Sequence, residues 1–331
     1  MTYLKSCLMS DGLELNKVYI GSSLDILKTF PDESIDMCIT SPPYWGLRDY
    51  GVDGQLGLEP DFNDYINNLC DIFDEVKRVL KLHGSCWVNL GDTYYTKSGG
   101  EFLNDNIVST KYSISTGIQK ANKVKDLGLL PSKCLVQIPS RFSIEMTNRG
   151  WTLRNEITWH KPTCMPTSVT DRFTVDFEKL FFFTKNKKYY FKQQIEDTKA
   201  KNVEPRMKAE RRDEYHGKHK GTHLASSSRT MTRNKRTVWS INPASFKGAH
   251  FATYPPKLIE SPIDAGCPVD GVVLDPFFGS GTTAEVAMEQ DKDWVGIELN
   301  PEYEKISQKR LKPKIIEKKT RDKASQFWDV R

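Results

Sequence analysis

The chain has 331 residues, 38% of them hydrophobic and 27% charged, with a formal net charge of +5. That length allows one large domain or two ordinary ones, and the composition excludes collagen-like, fibrous and wholly disordered classes. No run approaches the roughly 18 uncharged apolar residues of a membrane helix, and residues 1–14 lack a basic-then-apolar leader pattern, so the expectation is a cytoplasmic protein with no membrane partner.

Residues 17–20 (KVYI) and 36–40 (DMCIT) read as short buried strands, with 23–30 (SLDILKTF) as a helix between them, the spacing of a β-α-β unit. Directly after the second strand stand Ser41, Pro42, Pro43 and Tyr44. Consecutive prolines fix φ and remove two backbone donors, which leaves carbonyls there as acceptors. Ser41 adds a hydroxyl and Tyr44 a flat aromatic face, at the carboxyl end of a parallel strand, where open α/β sheets place ligands. Acceptors beside a stacking platform match a nucleobase that carries an exocyclic amine. A rigid strand-ending turn with a core tyrosine is the competing reading of the same residues.

Residues 64–80 place Ile66, Leu69, Ile72, Phe73, Val76 and Leu80 on one helical face, and His83-Gly84 is expected to end that helix before a strand at 85–90 (SCWVNL). Two further strands are expected at 152–159 and 179–184. Trp87, Trp151, Trp159, Phe181, Phe182 and Phe183 read as core or strand-face residues. Polar stretches at 94–130 and 197–236 interrupt the alternation and read as loops or an added subdomain. Lys161 and Arg172 lie in loops near strand ends, open between a contact to a phosphate-bearing partner and a solvated face.

Charge gathers in the second half of this region. Residues 185–236 hold sixteen Lys/Arg against six Asp/Glu, a local net of +10 that leaves the rest of the chain at −5. With few large apolar residues after Phe191, the stretch cannot build a core alone, and it reads as a solvated loop or a phosphate-contacting surface. Its histidines His216, His219 and His223 are too loosely set among lysines to serve as ligands. The seven cysteines are scattered, with no C-x-x-C pair. Neither a disulfide framework nor a metal is expected.

A strand at 272–274 leads into Asp275, Pro276, Phe277, Phe278, Gly279, Ser280, Gly281, Thr282 and Thr283, with a helix at 282–288. Glycines in such a turn let the backbone approach a ligand, and the free N–H groups of the helix start favour a carboxylate or phosphate. The next strand, 294–298, ends in Glu298, followed by Asn300. An acidic residue there can accept hydrogen bonds from both hydroxyls of a ribose, so the pattern suits an adenosine-containing ligand. The third glycine of the dinucleotide fingerprint is missing, which disfavours a nicotinamide cofactor; a structural helix cap is the competing reading. A final helix is expected at 302–311, with 305–323 as an exposed amphipathic helix and tail. Strands alternating with helices imply an α/β fold with a doubly wound, mostly parallel sheet.

The two turns together resemble the amino-group DNA methyltransferases that use S-adenosylmethionine, the methylases of restriction-modification systems, in their β arrangement. There a Ser/Asp-Pro-Pro-Tyr block comes first, a target-recognition region follows, and a Phe-x-Gly-x-Gly block comes last. This chain has that order, and residues 250–258 (HFATYPPKL) resemble the family's approach to the helix before the cofactor strand. The resemblance implies a circularly permuted Rossmann-like sheet. Residues 15–184 would form its catalytic half, 185–240 a basic target-recognition insertion, 241–312 the cofactor-binding half and 313–331 a tail.

The resemblance further implies that residues 278–283 wrap the methionine end of S-adenosylmethionine together with Phe277, that Asp275 supports this loop, and that Glu298, with Asn300 beside it, holds the ribose. Ser41 and Pro42 would face the target amine, with Pro43 completing the turn, and Tyr44 would stack on a base extruded from double-stranded DNA. Where the family has Gly-Asp after the first strand, this chain has Gly21-Ser22, so Ser22 stands where a carboxylate would meet adenine, with Asp25 a turn away. Serine at position 41 resembles the cytosine-N4 branch more than the adenine-N6 branch. Adenine-N6 transfer, RNA methylation and a nonenzymatic DNA-binding regulator of the same fold stay as alternatives. A cognate restriction endonuclease and a homodimer are left open as partners.

Overall fold

The computed structural model describes residues 12–95, 128–197, 232–243 and 254–328. In chain order its elements are β1 (Lys17–Ile20), α1 (Ser23–Lys28), β2 (Ile35–Thr40), α2 (Phe62–Val79), β3 (Leu80–Leu90), α3 (Ile138–Asn148), β4 (Thr152–His160), β5 (Phe177–Thr184), β6 (Ile195–Asp197), β7 (Thr232–Asn234), β8 (Val238–Ser240), α4 (Pro256–Gly266), β9 (Val272–Asp275), α5 (Thr282–Glu289), β10 (Asp293–Glu298) and α6 (Pro301–Trp328). They divide into two compact units, Met1–Lys192 with Thr237–Arg331, and Gln193–Arg236. Much of the polar stretch 94–130, of the basic stretch 185–240 with its three histidines, and of the segment 250–258 lies outside the described residues.

The larger unit is built on an eight-stranded sheet ordered β1-β10-β9-β2-β3-β5-β4-β8. Neighbours run parallel except at β5, which is antiparallel to both β3 and β4. Residues 161–176 join β4 to β5 without a helix, so nothing carries the chain back across the sheet and β5 returns the other way. The mostly parallel, doubly wound sheet expected from the sequence is the observed one. From β2, α2 carries the chain outward to β3, whereas from β9, α5 carries it the opposite way to β10. The winding therefore reverses between β2 and β9, which are paired directly with Cys38 opposite Leu274.

Side chains alternate across this sheet with the two-residue period of strands. Phe181 and Phe183 pack with Phe73 of α2 and Phe142 of α3 on one face. Phe182 points to the other face and stacks on Trp87 at 4.1 Å, in a cluster with Ile259 and Ile263 of α4 and Met288 of α5.

One boundary differs from expectation. The α2 helix stops at Val79, and β3 starts at Leu80 and runs through His83 and Gly84. The buried carboxylate of Asp36 explains this: it accepts from Lys81 Nζ (2.8 Å), lies 3.0 Å from His83 Nε2 and accepts the Val272 N–H (2.9 Å). Those contacts hold residues 81–83 extended in the bulge of β3 between the Ile35–Leu80 and Met37–Ser85 pairs. Helix α3 and the short strands β6, β7 and β8 add to the expected elements, α4 is the helix that the resemblance implies before the strand leading into the glycine turn, and α6 continues past residue 312 to Trp328. Among the described residues no helix is long and apolar enough to cross a membrane.

In the smaller unit β6 pairs antiparallel with β7, Ile195 opposite Asn234. Glu196 takes Arg233 Nε at 2.8 Å and Arg236 Nε at 3.0 Å, and these guanidinium groups hold its carboxyl below the usual range.

Candidate active site

Strands β2 and β9 end side by side, and the end of β2 and the start of α1 are both tied to the start of the glycine turn. Thr40 Oγ1 donates to Asp275 Oδ1 (2.6 Å), and Ser23 Oγ donates to the Pro276 carbonyl (2.5 Å). At this carboxyl edge, where the winding reverses, lies a cavity of about 340 Å³. Ser41, Pro42, Pro43 and Tyr44 line it, and so do Asp275, Phe277, Phe278, Gly279, Ser280 and Thr282. Ser22, at the end of β1, and Glu298 and Asn300, at the end of β10, complete the sequence-derived set. Gly281 and Thr283 do not line the cavity, and Asp25 is exposed outside it.

The glycine turn is held by its own carboxylates. Asp275 is buried and accepts from Thr40 Oγ1, the Phe277 N–H (3.1 Å), the Tyr254 hydroxyl (3.2 Å) and Thr283 Oγ1 (2.5 Å). Burial pushes its pKa up, and the hydrogen bonds pull against that rise. Thr283 is thereby spent on the loop rather than on the cavity. Gly279 and Gly281 sit at φ of 52° and 83°, a left-handed backbone that side chains rarely adopt, and this sharp bend opens α5 toward the cavity. Behind the turn, Phe278 stacks on Trp294 (5.2 Å between centroids, 13° between planes).

Helix α6 closes the turn from the other side. Arg310 donates to Ser280 Oγ and Thr282 Oγ1, both at 2.8 Å, and pairs with Glu285 at 2.6 Å. Ser307 and Leu311 are buried beside Gly281. This corrects the reading of 305–323 as an exposed helix: its first turns are a packed backing for the glycine turn.

Glu298 faces the same turn. Its Oε2 accepts the Gly279 N–H (2.8 Å) and its Oε1 the Asn300 N–H (2.9 Å). Burial, outweighing these bonds, raises its pKa. The Leu299 N–H also acts on this carboxylate, and beyond its backbone partners the group keeps acceptor capacity for a hydroxyl donor.

The proline turn is built the opposite way, from side chains donated by other elements. Of its carbonyls, Pro43's accepts the Tyr65 hydroxyl (2.8 Å), while among the described residues no donor takes that of Pro42. Tyr44 reaches across to β5 and β3: its hydroxyl donates to Glu178 Oε2 (2.7 Å) and lies 3.3 Å from Asn89 Oδ1. Burial, and after it the Glu178 charge, push the phenol pKa well up, with the nearby Ser41 hydroxyl pulling the other way, so Tyr44 stays protonated. Lys161 Nζ pairs with Glu178 Oε1 and sits 4.5 Å from the Trp159 ring centroid. Chain after the turn folds back over the cavity, with Gly46 N–H on the Gly57 carbonyl (2.7 Å) and Trp45 Nε1 on that of Glu59 (2.8 Å).

Several cavity residues had no sequence signal strong enough to single them out. Arg48 and Tyr50 follow the proline turn within a few residues, and their nearness to it was the available cue. Asn89, Glu178 and Tyr303 come from elements without motifs. Trp159, read as core, is 4% exposed and also walls the cavity, its indole N–H donating to the Ile241 carbonyl (2.8 Å).

A family model described as DNA methylase, for the N6/N4 methyltransferases, matches residues 35–309. Among curated proteins, the chain is 39% identical to the Type II methyltransferase M.Cfr9I of Citrobacter freundii over 311 residues, covering 91% of this chain and 90% of that one. It is 38% identical to the Type II methyltransferase M.SmaI of Serratia marcescens over 307 residues, covering 93% and 94%. Among solved structures, the PvuII DNA methyltransferase, titled cytosine-N4-specific, superposes with a TM-score of 0.57 at 22% identity over 88% of this chain and 84% of its own, a likeness of fold. With both turns at one sheet edge, and a match spanning most of its length, the chain belongs to the N6/N4 DNA methylase family.

Proposed function

We propose that this chain transfers a methyl group from S-adenosylmethionine to the exocyclic N4 amine of a cytosine extruded from duplex DNA. The observation that carries this reading is the single cavity lined both by residues 41–44 and by the glycine turn with Glu298. The donor set fits the cofactor. Glu298 keeps acceptor capacity for a ribose hydroxyl, and a Cβ added at Gly279 would meet nothing nearer than the Phe277 carbonyl at 3.9 Å, so the backbone there is open to a close-lying ligand. Ser22, lining the cavity at the end of β1, stands where an adenine contact is expected.

When bound, S-adenosylmethionine supplies an electrophilic methyl group on a cationic sulfur. The protein's task lies with the amine, a poor nucleophile because its lone pair is delocalised into the base. Ser41 Oγ and the Pro42 carbonyl accept its two N–H bonds, draw the nitrogen toward pyramidal geometry and aim the lone pair along the transfer direction, which is positioning plus electrostatics. Tyr44 offers its ring face to the extruded base and offsets part of the few kcal/mol that unstacking costs.

No covalent nucleophile enters this scheme. None of the six cysteines among the described residues lines the cavity, and burial pushes the Cys267 thiol up to about 12. Serine at position 41 is what favours cytosine over adenine. The basic stretch 185–236 is assigned to backbone phosphates, so duplex affinity should fall steeply with added salt.

Sequencing of modified positions in DNA from cells expressing the chain tests this reading. Modified cytosines at one short sequence are the expected result. Absence of any modification, with the protein folded and binding the cofactor, would favour the nonenzymatic regulator.

A further inference from the structure

One charged cluster of the cavity has no part in the scheme above. Glu178 opens β5 and Lys161 follows β4, so the two antiparallel strands bring them together at the sheet edge. Their side chains are only 15% and 17% exposed. A half-charged surface decoration would not be held this far from water, where ion pairs persist only when every partner is satisfied. Here each is. Glu178 Oε1 takes Lys161, Oε2 takes the Tyr44 hydroxyl at 2.7 Å, and the Lys161 ammonium rests 4.5 Å from the centroid of Trp159. Asn89 adds a second acceptor 3.3 Å from the same hydroxyl and is itself fixed by donating from Nδ2 to the Lys179 carbonyl (3.1 Å). From below, Gly91 admits the ring: a Cβ there would lie 2.7 Å from Tyr44 Cε2.

We infer that Glu178, braced by Lys161, is a positioning residue that clamps the Tyr44 hydroxyl so that the ring waits in one orientation for the extruded base. The inference rests on the stacking role proposed for Tyr44. A phenol free to rotate would lose rotamer freedom on stacking, and a ring already fixed by a charge-assisted hydrogen bond has less to lose. The clamp leaves the ring faces, which carry the stacking, out of the hydrogen bonding.

The test uses the full-length protein without cofactor and a duplex whose target base, located beforehand from the modified positions, is replaced by 2-aminopurine; its fluorescence reports extrusion. Tyr44→Phe and Glu178→Ala should each lower the extrusion equilibrium about tenfold, the scale of one charge-assisted hydrogen bond, and the double variant should be no worse than either. Glu178→Gln, whose amide oxygen still accepts from Tyr44, should recover most of the signal. Lys161→Met should weaken extrusion in the Tyr44 protein and do nothing in the Tyr44→Phe background, which keeps the test alive if Glu178→Ala does not fold. Additive effects, or extrusion unchanged in Tyr44→Phe and in a folded Glu178 variant, would overturn the clamp. Tyr44→Ala separates the two ideas: if it alone abolishes extrusion, stacking stands and the clamp falls, whereas an unchanged signal in Tyr44→Ala removes the stacking role itself.

Discussion

The two turns at the carboxyl edge of the sheet do their work by opposite means. The glycine turn is knotted around two carboxylates: Asp275 gathers donors from its own loop and from Thr40 and Tyr254, and Glu298 is held by backbone N–H groups on either side. The proline turn has no such knot. Its shape comes from fixed φ angles and from Tyr65, Asn89 and Glu178, side chains of α2, β3 and β5. A turn rich in N–H groups suits a ligand with acceptors and is preformed, while a turn stripped of donors presents acceptors to an amine and depends on its neighbours for rigidity.

That contrast implies that the two functions can be broken separately. The largest effects should come from the proline turn. Ser41→Ala and Tyr44→Ala should each lower the single-turnover rate by about 100-fold or more, the scale of losing one group that acts on the transition state, while cofactor affinity by calorimetry stays within about twofold. Equal losses in cofactor affinity would erase the distinction. Glu298→Ala should behave in reverse, weakening cofactor binding by about 10- to 100-fold through the loss of charge-assisted bonds, with the rate at saturating cofactor much less changed.

Two glycines sharpen the comparison without removing any functional group. A Cβ at position 91 would collide with the Tyr44 ring, and a Cβ at 296 would lie 2.3 Å from the Phe278 ring behind the glycine turn. Gly91→Ala should therefore slow turnover and spare cofactor affinity. Gly296→Ala should cost about 1–3 kcal/mol of stability in denaturant titrations, as overpacking does, and weaken cofactor binding with it.

The smallest effect is on pH dependence. Burial raises the Glu298 pKa, and only the ionised carboxylate can accept from its backbone partners and a hydroxyl at once. Cofactor affinity should thus be full above that raised pKa and fall as the pH drops through it, sooner than an ordinary carboxylate would allow. Glu298→Gln should show weaker binding with a flat profile over the same range. The sign for the unliganded fold is the reverse, since a raised folded-state pKa disfavours the ionised form and costs stability as pH rises.

Much of this arrangement is legible in the sequence, and the residues show why some of it is not. Strands and helices at 17–40 and 272–298 follow from short apolar runs and helical periodicity, and the two turns stand out through Pro-Pro and Gly-x-Gly. Hydrophobic pattern also favoured carrying α2 through Leu80. A long-range contact decided otherwise, because Asp36 holds residues 81 and 83 extended in the bulge of β3. Glu178 hides for a similar reason. It precedes the apolar run Leu180–Phe183 and looks like an ordinary polar residue at a strand mouth, until β4 and β3 bring Lys161 and Asn89 beside it. Arg310 lies among the many lysines of α6 and is distinguished only by facing Ser280 and Thr282. Patterns local to the chain reveal the turns; what rigidifies them arrives from as far as 30 positions away for Arg310 and Ser280 and 134 for Glu178 and Tyr44, where one sequence carries no sign of proximity.

Nucleoside mass spectrometry of duplex DNA incubated with the protein and S-adenosylmethionine labelled in its methyl group tests the central claim most directly. N4-methylcytosine carrying the label, lost in Ser41→Ala, is the expected result. Label in N6-methyladenine would contradict the choice of base, and label at carbon 5 of cytosine, or a Ser41→Ala protein that methylates at the full rate, would contradict the chemistry assigned to the cavity.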